Sequence, residues 1–147
     1  MLDGAAFNFI RTKFKNDIEI GVLGGGSDIP VQYDNGPSID HRNVQLWLDF
    51  RITPGESSQA SFGQKNRHRN LGLAVAGVYG RIENGDKDIM NIVDQIKPAF
   101  TAVKENAVTY RTPSIERIGN TNNLGAIEPN VWYLINVICP YYFDHIA

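Results

Sequence analysis

The chain has 147 residues, with 14 Lys and Arg against 16 Asp and Glu, a formal charge of −2 with His neutral. That length fits one domain that buries roughly 70% of its unfolded surface. Its 42% hydrophobic and 20% charged residues exclude a globally disordered chain, its charge argues against a binder held by phosphate contacts, and its one cysteine, Cys139, excludes an internal disulfide and a multi-cysteine metal site. No apolar run is as long as a membrane span. The first residues, MLDGAAFNFIRTKFK, lack a basic lead followed by an apolar run, so no signal peptide is expected. The chain reads as soluble and intracellular at synthesis.

In chain order, residues 5–14 carry Phe7, Ile10 and Phe14 on one helical stripe, with Arg11, Lys13 and Lys15 as a basic outer face and Asp3 as a candidate N-cap. The glycines Gly24-Gly25-Gly26 end whatever Ile18 to Leu23 begins. Ile29 to Tyr33 reads as a short strand closed by the turn Asp34-Asn35-Gly36-Pro37. Val44 to Ile52 is the strongest strand: Val44, Leu46, Leu48, Phe50 and Ile52 alternate with Gln45, Trp47, Asp49 and Arg51. Pro54-Gly55 breaks it, and 55–69 reads as a polar projecting loop. A second strand from Leu71 to Ile82 has small residues, Gly72, Ala74, Ala76 and Gly77, that leave room for a close neighbour. The two form a long hairpin.

Asn84-Gly85-Asp86 turns into an amphipathic helix on Ile89, Ile92, Val93, Ile96 and Phe100, with Pro98 expected to end or kink it near Ile96. Asp86 and Asp88 suit the positive end of its dipole. Val108 to Ile118 is a strand interrupted at Pro113, and Gly119 to Asn123 a turn. Trp132 to Ile138 is apolar on both phases, which suits a central strand or an interface. Pro140 and Tyr141-Tyr142-Phe143 close the pattern. The predicted fold is α+β: a mostly antiparallel sheet of about five strands, two helices packed on one face, and a long hairpin arm, in one domain over 1–147.

No catalytic constellation is visible, and no cofactor or metal is expected. His41, His68 and His145 are far apart in sequence, without an HExxH pattern. Cys139 has no neighbouring His or basic residue to activate it. The Gly21–Ser27 stretch lacks the Lys-Ser/Thr ending of a phosphate loop and is followed by Pro30 rather than a helix, so it reads as a linker. No serine lies in a Gly-x-Ser-x-Gly elbow. What remains has binding character. Lys65, Arg67, His68 and Arg69 with Phe62 form a basic, partly aromatic hairpin segment, either a solvated loop or an arm that contacts protein. Four basic or titratable groups are too few for a nucleic-acid site. Tyr141, Tyr142 and Phe143 either cover the core or serve an interface.

The order of these elements resembles a known family. It has a short helix, a strand at Ile29-Pro30-Val31, and a strand-loop-strand whose second strand opens Arg69-Asn70-Leu71-Gly72-Leu73-Ala74-Val75. A Gly-containing turn and helix (Gly85 to Phe100) and an extended Thr112-Pro113-Ser114-Ile115 follow. A Trp132-Tyr133 strand then runs into Cys139-Pro140-Tyr141. This resembles the tail terminator, or tail-completion, proteins of long-tailed bacteriophages over about residues 5–143. The motifs are individually weak, and their order and spacing carry the match. The long polar loop and Pro98 depart from the family pattern.

The resemblance implies a structural virion protein, not an enzyme. It implies a six-fold ring on the head-proximal end of the tail tube that ends tube polymerisation and joins the tail to the neck. DNA would pass through the lumen without specific binding. The implied partners are further copies of the chain, the tail tube protein, and a neck, stopper or connector protein, with no membrane. The implied location is the virion, and the host cytoplasm during assembly. Heterologous contacts would close the ring. Trp47 is a candidate packing residue there, or else a core residue under a helix. Arg67 and Arg69 would pair with acidic rims of a partner. Two other readings stand beside this one: a head-completion or stopper protein of the same neck, and a small ligand-binding domain using Gly21–Ser27.

Overall fold

Apolar stripes at helical spacing put two helices on one layer. The computed structural model describes residues 3–25, 29–37, 44–59, 67–84, 86–120 and 132–146. Helix α1 spans Asp3–Phe14 and runs on as a π-helical segment over Lys15–Ile20. The continuation follows the stripe, because Ile18 joins Ile10 and Phe14 in full burial, with Phe7 packed beside them. Gly24 and Gly25 then donate their N–H groups to the carbonyls of Ile20 and Glu19 at 3.1 and 2.9 Å. Their φ values of +79° and +70° are ones that glycine adopts without strain, so the glycine run is a helix terminus. Helix α2 (Lys87–Ala99) buries Ile89, Ile92, Val93 and Ile96. Pro98 does not end it near Ile96. It sits in the last turn, where Thr101 Oγ1 also donates to the Lys97 carbonyl at 2.6 Å. Asp86 makes no side-chain cap. Its carboxylate pairs with Arg117 at 2.8 Å, which holds it below its ordinary pKa.

Among the described residues seven strands form one sheet: β1 (Val31–Tyr33), β2 (Leu46–Gln59), β3 (Arg67–Arg81), β4 (Lys104–Glu105), β5 (Val108–Tyr110), β6 (Ser114–Asn120) and β7 (Trp132–Ile146). The order is β1-β2-β3-β7-β5-β4, with β6 also pairing β7. The α+β class and the two helices are as expected, but the sheet has more than five strands and is mixed. β1 lies parallel to β2, since the stretch 34–45 is long enough to cross over. The other pairings are antiparallel. Pro113 separates β5 from β6 as expected.

Two prolines expected to end strands lie inside them. Pro140 pairs with Leu73 of β3, and its carbonyl accepts from Arg111 N–H at 2.8 Å. Its missing donor therefore faces the break between β5 and β6, and the β3 ladder is intact. Pro54 lies on the phase of Leu48, whose N–H donates to Pro30 on the β1 side, so its missing donor faces the edge. A register shift between Pro54 and Ser57 absorbs the bend. Of the expected loop at 55–69, the residues 55–59 and 67–69 thus belong to the strands β2 and β3, and 60–66 lie outside the described residues. β7 runs beside it to the Arg67↔Ile146 pair, so the arm is three-stranded.

The core lies between the helices and one sheet face. Phe14 stacks on Phe50 at 4.1 Å, and Phe100 meets Tyr110 edge-on at 5.1 Å. Gly72 admits the Tyr141 hydroxyl and ring, which a Cβ there would strike. Lys13 is not on the outer face. Its side chain is 4% exposed, and Nζ donates to Asp17 at 2.7 Å and Glu105 at 2.9 Å. It lies above the rings of Phe100 and Tyr110. Burial alone would lower the Lys13 pKa, but the two carboxylates outweigh it and raise it.

Removing both countercharges, Asp17→Asn with Glu105→Gln, is expected to cost about 2 kcal/mol in urea unfolding, because both acids are partly hydrated. Lys13→Met is expected to cost less. The stabilisation is fully present below the ordinary lysine value of 10.5. It is lost as pH rises through the raised folded value. Lys13→Met should flatten that alkaline fall in a thermal-unfolding series.

Candidate interaction surface

The pleat sends alternate side chains to opposite sides of a sheet. Leu48, Phe50, Ala74, Ala76, Val78, Ile135, Val137 and Cys139 join the helices in the main core. The other phase faces away from them, in rungs set by the register: Trp47-Tyr79-Leu134, Asp49-Gly77-Asn136-Glu116, Arg51-Val75-Ile138-Ser114, Thr53-Leu73-Pro140 and Leu71-Tyr142-Thr109.

One end of this face is aromatic and closed. Trp47 stacks on Tyr79 at 3.8 Å and meets Trp132 edge-on at 6.0 Å. With Leu134 they form a small buried cluster of their own. The middle is polar. The Asp49 carboxylate lies over Gly77, where a Cβ would collide with it. It accepts from Gly77 N–H and from the Tyr79 hydroxyl, both at 3.1 Å. Burial raises the Asp49 pKa, while Arg51, Tyr79 and the Gly77 amide offset part of the rise. Arg51 lies 3.8 Å from Asp49 and donates to Asn136 Oδ1 at 3.3 Å. The other end is apolar and open. Leu71 and Leu73 are each 40% exposed, flanked by half-buried Val75, Ile138 and Pro140. A depression of about 280 Å³ opens there between Gly55, Leu73, Arg111 and Pro140.

Among the described residues, those singled out in the sequence do not gather into one site. Trp47 is buried in the aromatic cluster, on the side of the sheet away from the helices, so it is neither an exposed packing residue nor a residue under a helix. Tyr141 and Phe143 belong to the main core, so they cover it rather than offer rings to a partner. Tyr142, one residue out of phase, faces the open side, with Arg69 at 4.2 Å and Arg111 at 5.2 Å from its ring. Arg69 is bidentate to Asp144 at 3.0 and 3.2 Å, so its charge is met within the chain. That contact raises its pKa further. Arg67 and His68 pair in register with Ile146 and His145, which opposes two histidines distant in sequence. Their side chains, and all of Phe62 and Lys65, lie outside the described residues, as do Gly26 and Ser27.

The strip of Leu71, Leu73, Val75, Ile138 and Pro140 escaped the sequence reading. A signal was present: between Leu71 and Ala76, β3 carries Gly72, Ala74 and Ala76 on the core phase and Leu71, Leu73 and Val75 on the other. Among the described residues, no group of His, Cys, Asp and Glu could hold a metal ion, and no helix is long and apolar enough to cross a membrane. Burial pushes the Cys139 thiol up to about 12.

No protein-family model matches the chain. No curated protein matches it. A solved structure whose name describes no activity aligns with 92% of this chain and 94% of its own, at a TM-score of 0.58 and 13% identity. At that identity the likeness speaks for the shared α+β fold alone.

Exposure of the leucine strip predicts a separation of two properties. Leu71→Glu with Leu73→Glu should leave monomer stability within about 0.5 kcal/mol per site. It should reduce self-association, read by light scattering over a concentration series.

Proposed function

We propose that this chain is a structural protein of a long-tailed bacteriophage. It closes the head-proximal end of the tail tube as a ring, ends tube growth and joins the tail to the neck. The observation that carries the reading is the two-sidedness of the sheet. Helices seal one face, while the other presents Leu71 and Leu73 to solvent beside a polar centre. Such a patch marks a contact surface, and copies joined through two different patches form a ring where the rotation between them closes. The order of elements from α1 to the long β7 supports the same reading.

In this account six copies surround the DNA path, with no sequence-specific grip on the duplex. The three-stranded arm reaches the tail tube protein, and the opposite rim meets the neck or connector. The glycines after α1 have a structural task as its terminus, so a ligand loop at Gly21–Ser27 is not needed to explain them.

Immunogold electron microscopy on virions of the encoding genome tests the proposal. Label at the head–tail joint, and at one end of headless tails, is expected. Label on heads but never on free tails would favour a stopper of the same neck. Absence of label, with the epitope accessible on disrupted particles, would refute both.

A further inference from the structure

We propose that a basic depression at the β4 edge of the sheet binds a phosphate group. The site does not depend on the ring reading. Strand pairing places its walls. Lys104 stands opposite Thr109, and Thr109 opposite Tyr142, so the three share the open face of the sheet. Arg111 follows Thr109 by two residues and still lies beside β7, because its N–H donates to the Pro140 carbonyl at 2.8 Å. Lys104 and Arg111 are thus diagonal neighbours on one face, about 7 Å apart. A depression of about 370 Å³ opens between them, with Thr109, Thr112 and Tyr142 in its wall. Ala102 adds only a methyl group to that wall, so the space between the two cations stays open.

Both cations are exposed, and neither meets a carboxylate among the described residues. The nearby acids are taken. Glu105, next to Lys104, lies on the other phase of β4 and accepts from Lys13. Asp144, one rung away on the same face, is held by both arms of Arg69. The Arg111 guanidinium lies 5.2 Å from the centre of the Tyr142 ring, a contact that leaves its N–H edge open to an acceptor. The hydroxyls of Thr109, Thr112 and Tyr142 make no hydrogen bond among the described residues. The depression beside α1 is different. Arg11 and Lys15 line it, but Arg11 is engaged by Asp34 at 3.0 Å. Two cations and three uncommitted hydroxyls around one space outnumber what a planar carboxylate, with two oxygens, accepts well. A phosphate presents its oxygens in a tetrahedron, which an arginine fork and a lysine point charge approach from different walls. The depression is wider than the bare ion, so room remains for the group esterified to it. That group belongs either to a small phosphate ester or to a DNA strand.

The test is a titration of the purified full chain with sodium phosphate at fixed ionic strength, followed by the NMR signals of backbone amides and arginine side chains. Saturable shifts are expected at Lys104, Thr109, Arg111 and Thr112, with Arg111 Nε–H among them, and none from sodium chloride. Lys104→Gln with Arg111→Gln should weaken the affinity at least about tenfold. Both positions are exposed, so thermal unfolding of the double variant should match that of the parent chain. Shifts that do not saturate, or that fall equally on Lys15, Lys87 and Lys97, would overturn the proposal. Undiminished phosphate binding by the double variant would overturn it as well. Glycerol phosphate and a short DNA duplex then separate the two sources. Tighter binding of glycerol phosphate at the same residues supports the site and assigns a small ester. Tighter binding of the duplex there, with a salt dependence of about one phosphate contact, supports the site and assigns a strand phosphate. None of these outcomes moves gold at the head–tail joint, so the site and the terminator reading fail separately.

Discussion

Two helices cover one face of a seven-stranded sheet, and the chain supplies no third layer among its described residues. This one-sidedness governs the rest of the molecule. On the covered side, space is short, so β3 presents Gly72, Ala74 and Ala76 there, and the Tyr141 ring fills the room that Gly72 leaves. On the uncovered side the same strand carries leucine, valine and tyrosine. A lone domain would place polar groups on that phase, as antiparallel sheets with one wet face do. Here it carries an aromatic cluster, a satisfied polar centre and an open aliphatic strip in succession.

β7 holds these parts together. It pairs with β3 along its whole length, and with β6 and then β5 on its other edge. The switch from β6 to β5 falls at Pro140, where a missing donor is harmless because the chain between the two partners is not in strand. β7 thus spans from the closed aromatic end to the arm, and a load on the arm is transmitted to the core through one continuous ladder. The Lys13 ion triad performs a similar task on the helical side, tying α1 to its π-helical continuation through Asp17 and to β4 through Glu105, 92 residues along the chain.

Much of this was legible. The period of two from Val44 to Ile52 marked β2, the stripe from Ile89 to Phe100 marked α2, and the doubly apolar Trp132 to Ile138 marked a strand that is either central or at an interface. What was not legible depended on partners far along the chain. Lys13 looks like a surface lysine until Glu105 arrives beside it. Arg69 looks available until Asp144 meets it. Pro54 and Pro140 read as breakers because sequence does not say toward which neighbour a missing N–H will point. Once β7 is seen to continue past Pro140, simple alternation sorts Tyr141 and Phe143 into the core and Tyr142 onto the open face. The strip around Leu73 was hidden for a related reason: a strand with large residues on one phase and small ones on the other does not reveal which phase the helices will cover.

The central claim is that this chain stops a growing tube by closing a ring upon it. The length distribution of tails, measured in electron micrographs after deleting this chain from its genome, addresses that claim most directly. The account predicts headless tubes that overrun the normal length, with normal length and head attachment regained when the intact chain is supplied. Tubes of normal length in its absence would contradict the account.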